Sequence, residues 1–174
     1  MPASGDISRR PARVVQPGVG QESVWDYPRP PRLEPTPRPV RVVLGGVTIA
    51  DTRRALRVLE TSHPPTYYVP PEDVHWEYLE AESGIGSVCE WKGAAHYFSA
   101  NAGGRHASRS AWSYPDPAPA FSALKDHVAF YAAQMDACFV DDEQARPQPG
   151  GFYGGWVTPD VVGPFKGAPG SEGW

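Results

Sequence analysis

Apolar and polar residues first settle into a regular pattern at Val40. The stretch "VRVVLGGVTIADT" consists of two β-branched runs around Gly45 and Gly46, and a Gly-Gly pair supplies the positive φ angles of a tight turn, so it predicts a β-hairpin. "ALRVLE" (55–60) and "TYYV" (66–69) extend this into a meander, with a break forced by Pro64 and Pro65. Pro70 and Pro71, followed by Glu72 and Asp73, suit the N-terminus of one short helix or turn. "SVCEWKGAAHYFSA" and "HASRSAWSYP" return to strand character around a turn at Gly103 and Gly104. Between Phe121 and Phe139 the apolar positions fit a helical period, and periodicity alone predicts a helix, yet "HVAFY" and "ACFV" also read as strands around a turn near Asp136.

Composition pushes the same way. A chain of 174 residues with 21 Pro and 18 Gly favours short strands and many turns over long helices. The expected fold is mainly β within the α+β class: a single curled antiparallel sheet or partly open barrel with one or two short helices. Its expected organisation is a flexible Pro/Arg-rich arm over 1–39, a β-rich domain over 40–145, and a Gly/aromatic tail over 146–174 packed on that domain. "PRPPRLEPTPRP" (28–39) removes amide donors and holds the backbone extended, and its PxxP pattern suits docking on a partner; Trp25 and Tyr27 in "VWDYP" are anchors onto the body. Residues 1–57 carry a net charge of +5 and residues 58–174 one of −9, for −4 overall. An acidic body repels phosphate backbones, so no nucleic-acid partner is expected. No apolar run resembles a signal peptide or membrane span, and two cysteines make no disulfide framework, which points to a cytoplasmic protein. Exposed hairpin edges are open to pairing as a homodimer.

Four motifs, "VLETSHPPTYYVPPEDV", "CEWKGAAHYF", "AWSYPDP" and "HVAFY", occur in this order between about Val40 and Glu143. Together they resemble the signatures of a family of domains of unknown function, number 427 in its series. The resemblance implies a small, mainly antiparallel β domain of bacteria and fungi without an established activity. The family also carries a nucleotidyltransferase-like label. That chemistry needs carboxylates that hold a divalent metal against phosphates, commonly beside a Gly-Ser turn. Here the Gly-Ser candidate is "GIGS" (84–87), no carboxylate pair follows it on an evident strand, and the adjacent Asp141, Asp142 and Glu143 would alternate faces.

Candidate chemistry centres on two segments. Read as a strand, Cys89–Phe98 presents Cys89, Trp91, Gly93, Ala95 and Tyr97 on one face and Glu90, Lys92, Ala94, His96 and Phe98 on the other. Trp91, Tyr97, Trp112 and Tyr67 are therefore expected to contact a ligand, with Lys92 offering an ammonium to a carboxylate or phosphate. In "ETSHPPTYYVPPED", His63 with Glu60 suits a general base, and Tyr68 or Lys92 a partnering acid. Cys89 needs a nearby base or helix N-terminus to act as nucleophile. No metal site is expected: Cys89 and Cys138 are far apart, and His75, His96, His106 and His127 are scattered. GxSxG, GxGxxG and GxxxxGK[ST] are absent, so no cofactor is indicated. The leading expectation is a small-molecule-binding β domain with an aromatic-walled cleft. Its alternatives are an enzyme using the His63/Glu60 pair on a carbonyl or phosphate substrate, and an interaction module using the proline-rich arm.

Overall fold

The computed structural model describes residues 11–84 and 86–174. It begins with the bridge strand β1 (Glu22–Ser23) and a 3-10 turn, Val24–Asp26, where the Ser23 hydroxyl accepts the Trp25 amide at 3.2 Å. The proline-rich segment then forms β2 (Arg32–Thr36), paired antiparallel with β5 from Arg32 opposite Leu59 to Thr36 opposite Ala55. Pro35 is tolerated because β2 is an edge strand, where a missing amide breaks no inner ladder. The flexible arm expected over 1–39 is thereby corrected from Glu22 onward, with Val24 and Tyr27 buried; residues 1–10 lie outside the described residues.

β3 (Val40–Leu44) and β4 (Val47–Thr52) form the expected hairpin, with Gly45 at φ 58° and Gly46 at 75°. The meander stops there. β5 (Ala55–Leu59) leaves β4 and runs between β2 and β6 (Thr66–Tyr68), forming a separate three-stranded sheet. The expected single short helix or turn is two 3-10 turns, Pro71–Asp73 and Trp76–Tyr78. Next come β7 (Leu79–Ala81), β8 (Ser87–Cys89), β9 (Gly93–Ala102) and β10 (Arg105–Ser113). The helical spacing of 121–139 is overridden: a 3-10 turn at Pro119–Leu124 ends before Asp126 at φ 59°, and β11 (Val128–Phe130) and β12 (Ala137–Val140) follow as strands. Four short strands complete the chain: β13 (Glu143–Gln144), β14 (Arg146–Pro147), β15 (Trp156–Val157) and β16 (Val161–Val162).

The fold is mainly β, but it is several antiparallel sheets rather than one, and none closes into a barrel. Among the described residues the helical elements are 3-10 turns. The order β11-β10-β9-β7, with β8 also on β9, makes the largest sheet; β13-β12-β3-β4 and β2-β5-β6 are the other two sheets of more than two strands. A bridge between Val69 and Val128 joins the first sheet to the third.

A core of Val40, Val42, Leu44, Ile49, Phe130 and Trp156 fills the space between sheets. Full burial of each such side chain contributes about 1.5–3 kcal/mol. At one end the turns of two hairpins touch: a Cβ on Gly45 would lie 2.0 Å from the Ala102 carbonyl oxygen, so only glycine permits this approach. A second aromatic core contains Val58, Tyr68, Trp112, Tyr114, Phe121 and Leu124, and its open side becomes the cleft described next. The tail is woven in, with β16 parallel to β1 and β15 paired with β14.

Candidate functional site

The segment Cys89–Phe98 is not one strand. β8 ends at Cys89, the chain turns through Glu90–Lys92, and β9 starts at Gly93, whose φ of 109° admits the reversal. The face assignment therefore holds only from Gly93 onward. The turn carries Cys89, Trp91 and Lys92 to the same cleft, whereas continuous alternation would have separated Lys92 from the other two. Lys92 Nζ donates to Cys89 Sγ at 3.1 Å. Beyond the turn, Tyr97 faces the cleft, and Phe98, on the opposite face of β9, packs edge-on against Trp76.

The cleft has a volume of about 470 Å³, within the 300–1,000 Å³ typical of ligand pockets. Glu60, His63, Tyr68, Trp91, Lys92, Tyr97 and Trp112 all line it, although they come from three separate motifs of the sequence. Trp112 is the centre of the aromatic wall, with ring centroids 4.6 Å from Tyr131, 6.4 Å from Tyr68 and 6.5 Å from Tyr97. Glycines let the surrounding chain approach these rings. A Cβ on Gly154 would lie 2.1 Å from Trp112, and one on Gly86 would lie 1.7 Å from Tyr97. Burial raises the Tyr68 hydroxyl well above the usual phenol range.

Tyr67 is the one expected ligand contact that the structure turns away. It adjoins Tyr68 in β6, and successive strand residues face opposite ways, so Tyr67 packs on Trp156 in the main core at 5.3 Å between centroids. Asp73 lies outside the cleft as well, accepting from the Thr52 hydroxyl at 2.6 Å and pairing with Arg54 at 3.2 Å.

The polar end is built around His63. Gln148 Oε1 accepts from the Gly155 amide at 3.1 Å, and Gln148 Nε2 donates to the Lys166 carbonyl at 2.9 Å, so the orientation of the amide is fixed from both sides. The same Nε2 lies 3.0 Å from His63 Nδ1, which must therefore accept. The imidazole proton then sits on Nε2, 3.4 Å from Glu60 Oε2. Burial, followed by the positive charges of Arg29, Lys166 and Lys92, pushes the His63 pKa down to about 4. His63 is thus a neutral imidazole whose Nδ1 is engaged by Gln148, and its ring packs edge-on against Tyr153 at 4.8 Å. Glu60 also accepts from Arg29 at 3.4 Å, and Arg29 donates to the Thr61 carbonyl at 2.9 Å.

Arg29, Gln148, Lys166, Phe152, Tyr153 and Trp174 line the cleft but are absent from the residues expected on sequence. They belong to segments read as arm and tail. The local signal was "GGFYGG", an aromatic pair between two glycine pairs; Arg29 and Lys166 carry no comparable mark. Lys166 is buried, its ammonium donating to the carbonyls of Ser171 and Glu172 at 2.8 Å each.

The Gly-Ser candidate spans Ile85, which lies outside the described residues; Ser87 faces the cleft with its hydroxyl 3.1 Å from the Tyr97 hydroxyl. Asp141 is held by Arg38 at 2.8 Å. Among the described residues, no group of three or more His, Cys, Asp or Glu side chains converges on a point suited to a metal ion.

The family NTP_transf_9, described as a domain of unknown function (DUF427), matches residues 32–141. No curated protein matches the sequence.

Proposed function

The chain belongs to the DUF427 family, and from the geometry of its cleft we propose that it binds a small organic molecule against the Trp112 wall. The observation that carries this reading is convergence: chain segments from Arg29 to Trp174 direct aromatic rings and three cationic side chains at one cavity of about 470 Å³. A concave apolar site with a few oriented polar groups is the form that small-molecule sites take. Filling such a space with side chains would gain packing energy, so an open cleft in a well-packed protein suits an occupant from outside.

Binding without His63-mediated proton transfer is the better supported version. A general base needs a free lone pair within reach of its substrate, and the Nδ1 lone pair of His63 is occupied by Gln148. The interaction-module alternative has less support, because the proline-rich stretch is the paired strand β2. Both cysteines are free thiols, which suits the cytoplasmic location we propose.

Native mass spectrometry tests the reading. The purified chain is incubated with a mixture of small cellular metabolites and measured beside a denatured control and the double variant Trp91→Ala/Lys92→Ala. A retained organic mass that leaves on denaturation and is lost in the variant is the expected result. Equal retention by the variant would move binding away from this cleft.

A further inference from the structure

The charges around the cleft are unbalanced. Arg29, Lys92 and Lys166 face it together with the carboxylates of Glu60 and Glu90, leaving one positive side-chain charge in excess in a chain whose net side-chain charge is −4. Arg29 reaches the His63 end through Glu60, Lys166 joins it through the Gln148 amide that contacts both its carbonyl and His63 Nδ1, and Lys92 lines the same cleft. Glu60 is already engaged by Arg29 and lies 3.4 Å from His63 Nε2. Lys92 is bonded to a thiol, and Lys166 to two neutral carbonyls, so neither ammonium has a carboxylate partner among the described residues. Partly desolvated cations held without counter-ions are costly, and an anion entering the cleft would supply the missing partner. A positive cleft in a negative molecule also draws anions towards it.

The opposite end asks for a flat apolar body. Trp112, Tyr97 and Tyr131 supply ring faces, and two of the most exposed apolar side chains, Val88 at 76% and Phe152 at 72%, stand at the rim of this same cleft. Exposed apolar groups beside a cavity mark where a ligand removes surface from water.

We propose, resting on the binding reading above, that the occupant is a flat aromatic acid with one negative charge. Its acid group sits beside His63, where Arg29, Lys92 and Lys166 converge, and its ring lies against Trp112, clasped at the mouth by Val88 and Phe152. A single charge matches the single excess of the lining. A nucleoside triphosphate carries several charges more, and phosphates favour helix N-termini or turns of successive amides.

Isothermal titration calorimetry of the full chain tests this with matched pairs: benzoate and benzamide, indole-3-carboxylate and its amide, 2-naphthoate and 2-naphthamide. Cyclohexanecarboxylate and ATP complete the set. At least one aromatic acid is expected to bind about tenfold more tightly than its amide, with an affinity that falls as salt rises. Lys92→Gln, at the hairpin turn, is expected to remove about that tenfold preference without lowering the melting temperature; it is preferred to a Lys166 variant because Lys166 is buried. Amides that bind as well as acids would overturn the acid assignment while leaving the binding reading intact. Equal affinity for cyclohexanecarboxylate would overturn the flat ring, and tighter binding of ATP would overturn the single charge. Failure of every compound to bind would overturn both this proposal and the binding reading.

Discussion

His63 makes the stability of this protein depend on pH in a way that its environment specifies. An unfolded chain carries histidine with the ordinary pKa of 6.5, whereas the folded imidazole is pushed down to about 4, first by burial and then by Arg29, Lys166 and Lys92. Below pH 6.5 the unfolded state therefore binds more protons than the folded one. The resulting stability is fully present above pH 6.5, falls as pH drops towards 4, and levels off once the folded imidazole is itself protonated. At 1.36 kcal/mol per pKa unit, the shift corresponds to about 3 kcal/mol. The comparison is His63→Gln, which does not titrate and whose amide can still accept from Gln148 and donate to Glu60. Urea denaturation between pH 7 and pH 4 should show the wild type losing about 3 kcal/mol more than the variant. The carboxylates titrate in both proteins, so the difference isolates position 63. Parallel stability curves would refute both the neutral imidazole and the hydrogen-bond chain that fixes its proton on Nε2.

Three further outcomes follow from the packing. Gly154→Ala forces a methyl group into the Trp112 ring and should cost about 1–3 kcal/mol, or about 2–4 °C of melting temperature per kcal/mol; an unchanged melting temperature would contradict the close approach. Phe152→Ala removes an exposed ring, so folding stability should stay within about 0.5 kcal/mol while calorimetry records a severalfold weaker ligand affinity; unchanged affinity would remove the rim from the account. Arg57 is a buried cation shared by Glu34 and Glu22, and Glu34→Ala should cost about 2 kcal/mol by urea denaturation, as expected for a hydrogen bond to a charged group. A loss near zero would mark that pair as dispensable.

Features written locally were legible in the sequence. The Gly45-Gly46 and Gly103-Gly104 turns specify their hairpins because positive φ angles cost glycine little, while the register shifts between Val42 and Val43 and between Ala107 and Ala111 carry no such local mark. Trp91, Tyr97, Trp112, His63 and Glu60 were legible as a group because ring-rich and hydrogen-bonding residues cluster in three short motifs. Pairing at long range was not legible. Nothing in "RLEPT" announces that it will line up against residues 55–59, and its prolines argue for an unpaired segment until its edge position is known. Tyr67 and Tyr68 differ only in which sheet face they occupy, and that depends on where the main core lies. The turn at Glu90–Lys92 carries no Gly-Gly or proline signal; Gly93, just after it, was the sole hint. Arg29, Gln148 and Lys166 reach the cleft through tertiary contacts alone, so no local pattern could have nominated them.

The indole signals of the six tryptophans offer the most direct test that this cleft is the binding site. Trp91, Trp112 and Trp174 line it, whereas Trp76 packs on Phe98 and Trp156 lies in the main core, bonded to the Phe130 carbonyl. Two-dimensional 1H–15N spectra of labelled protein titrated with the tightest acid of the calorimetric series should move the Trp91 and Trp112 indole resonances saturably and leave Trp76 in place. Saturable shifts centred on Trp76, or binding that leaves Trp91 and Trp112 unmoved, would contradict the assignment of the cleft.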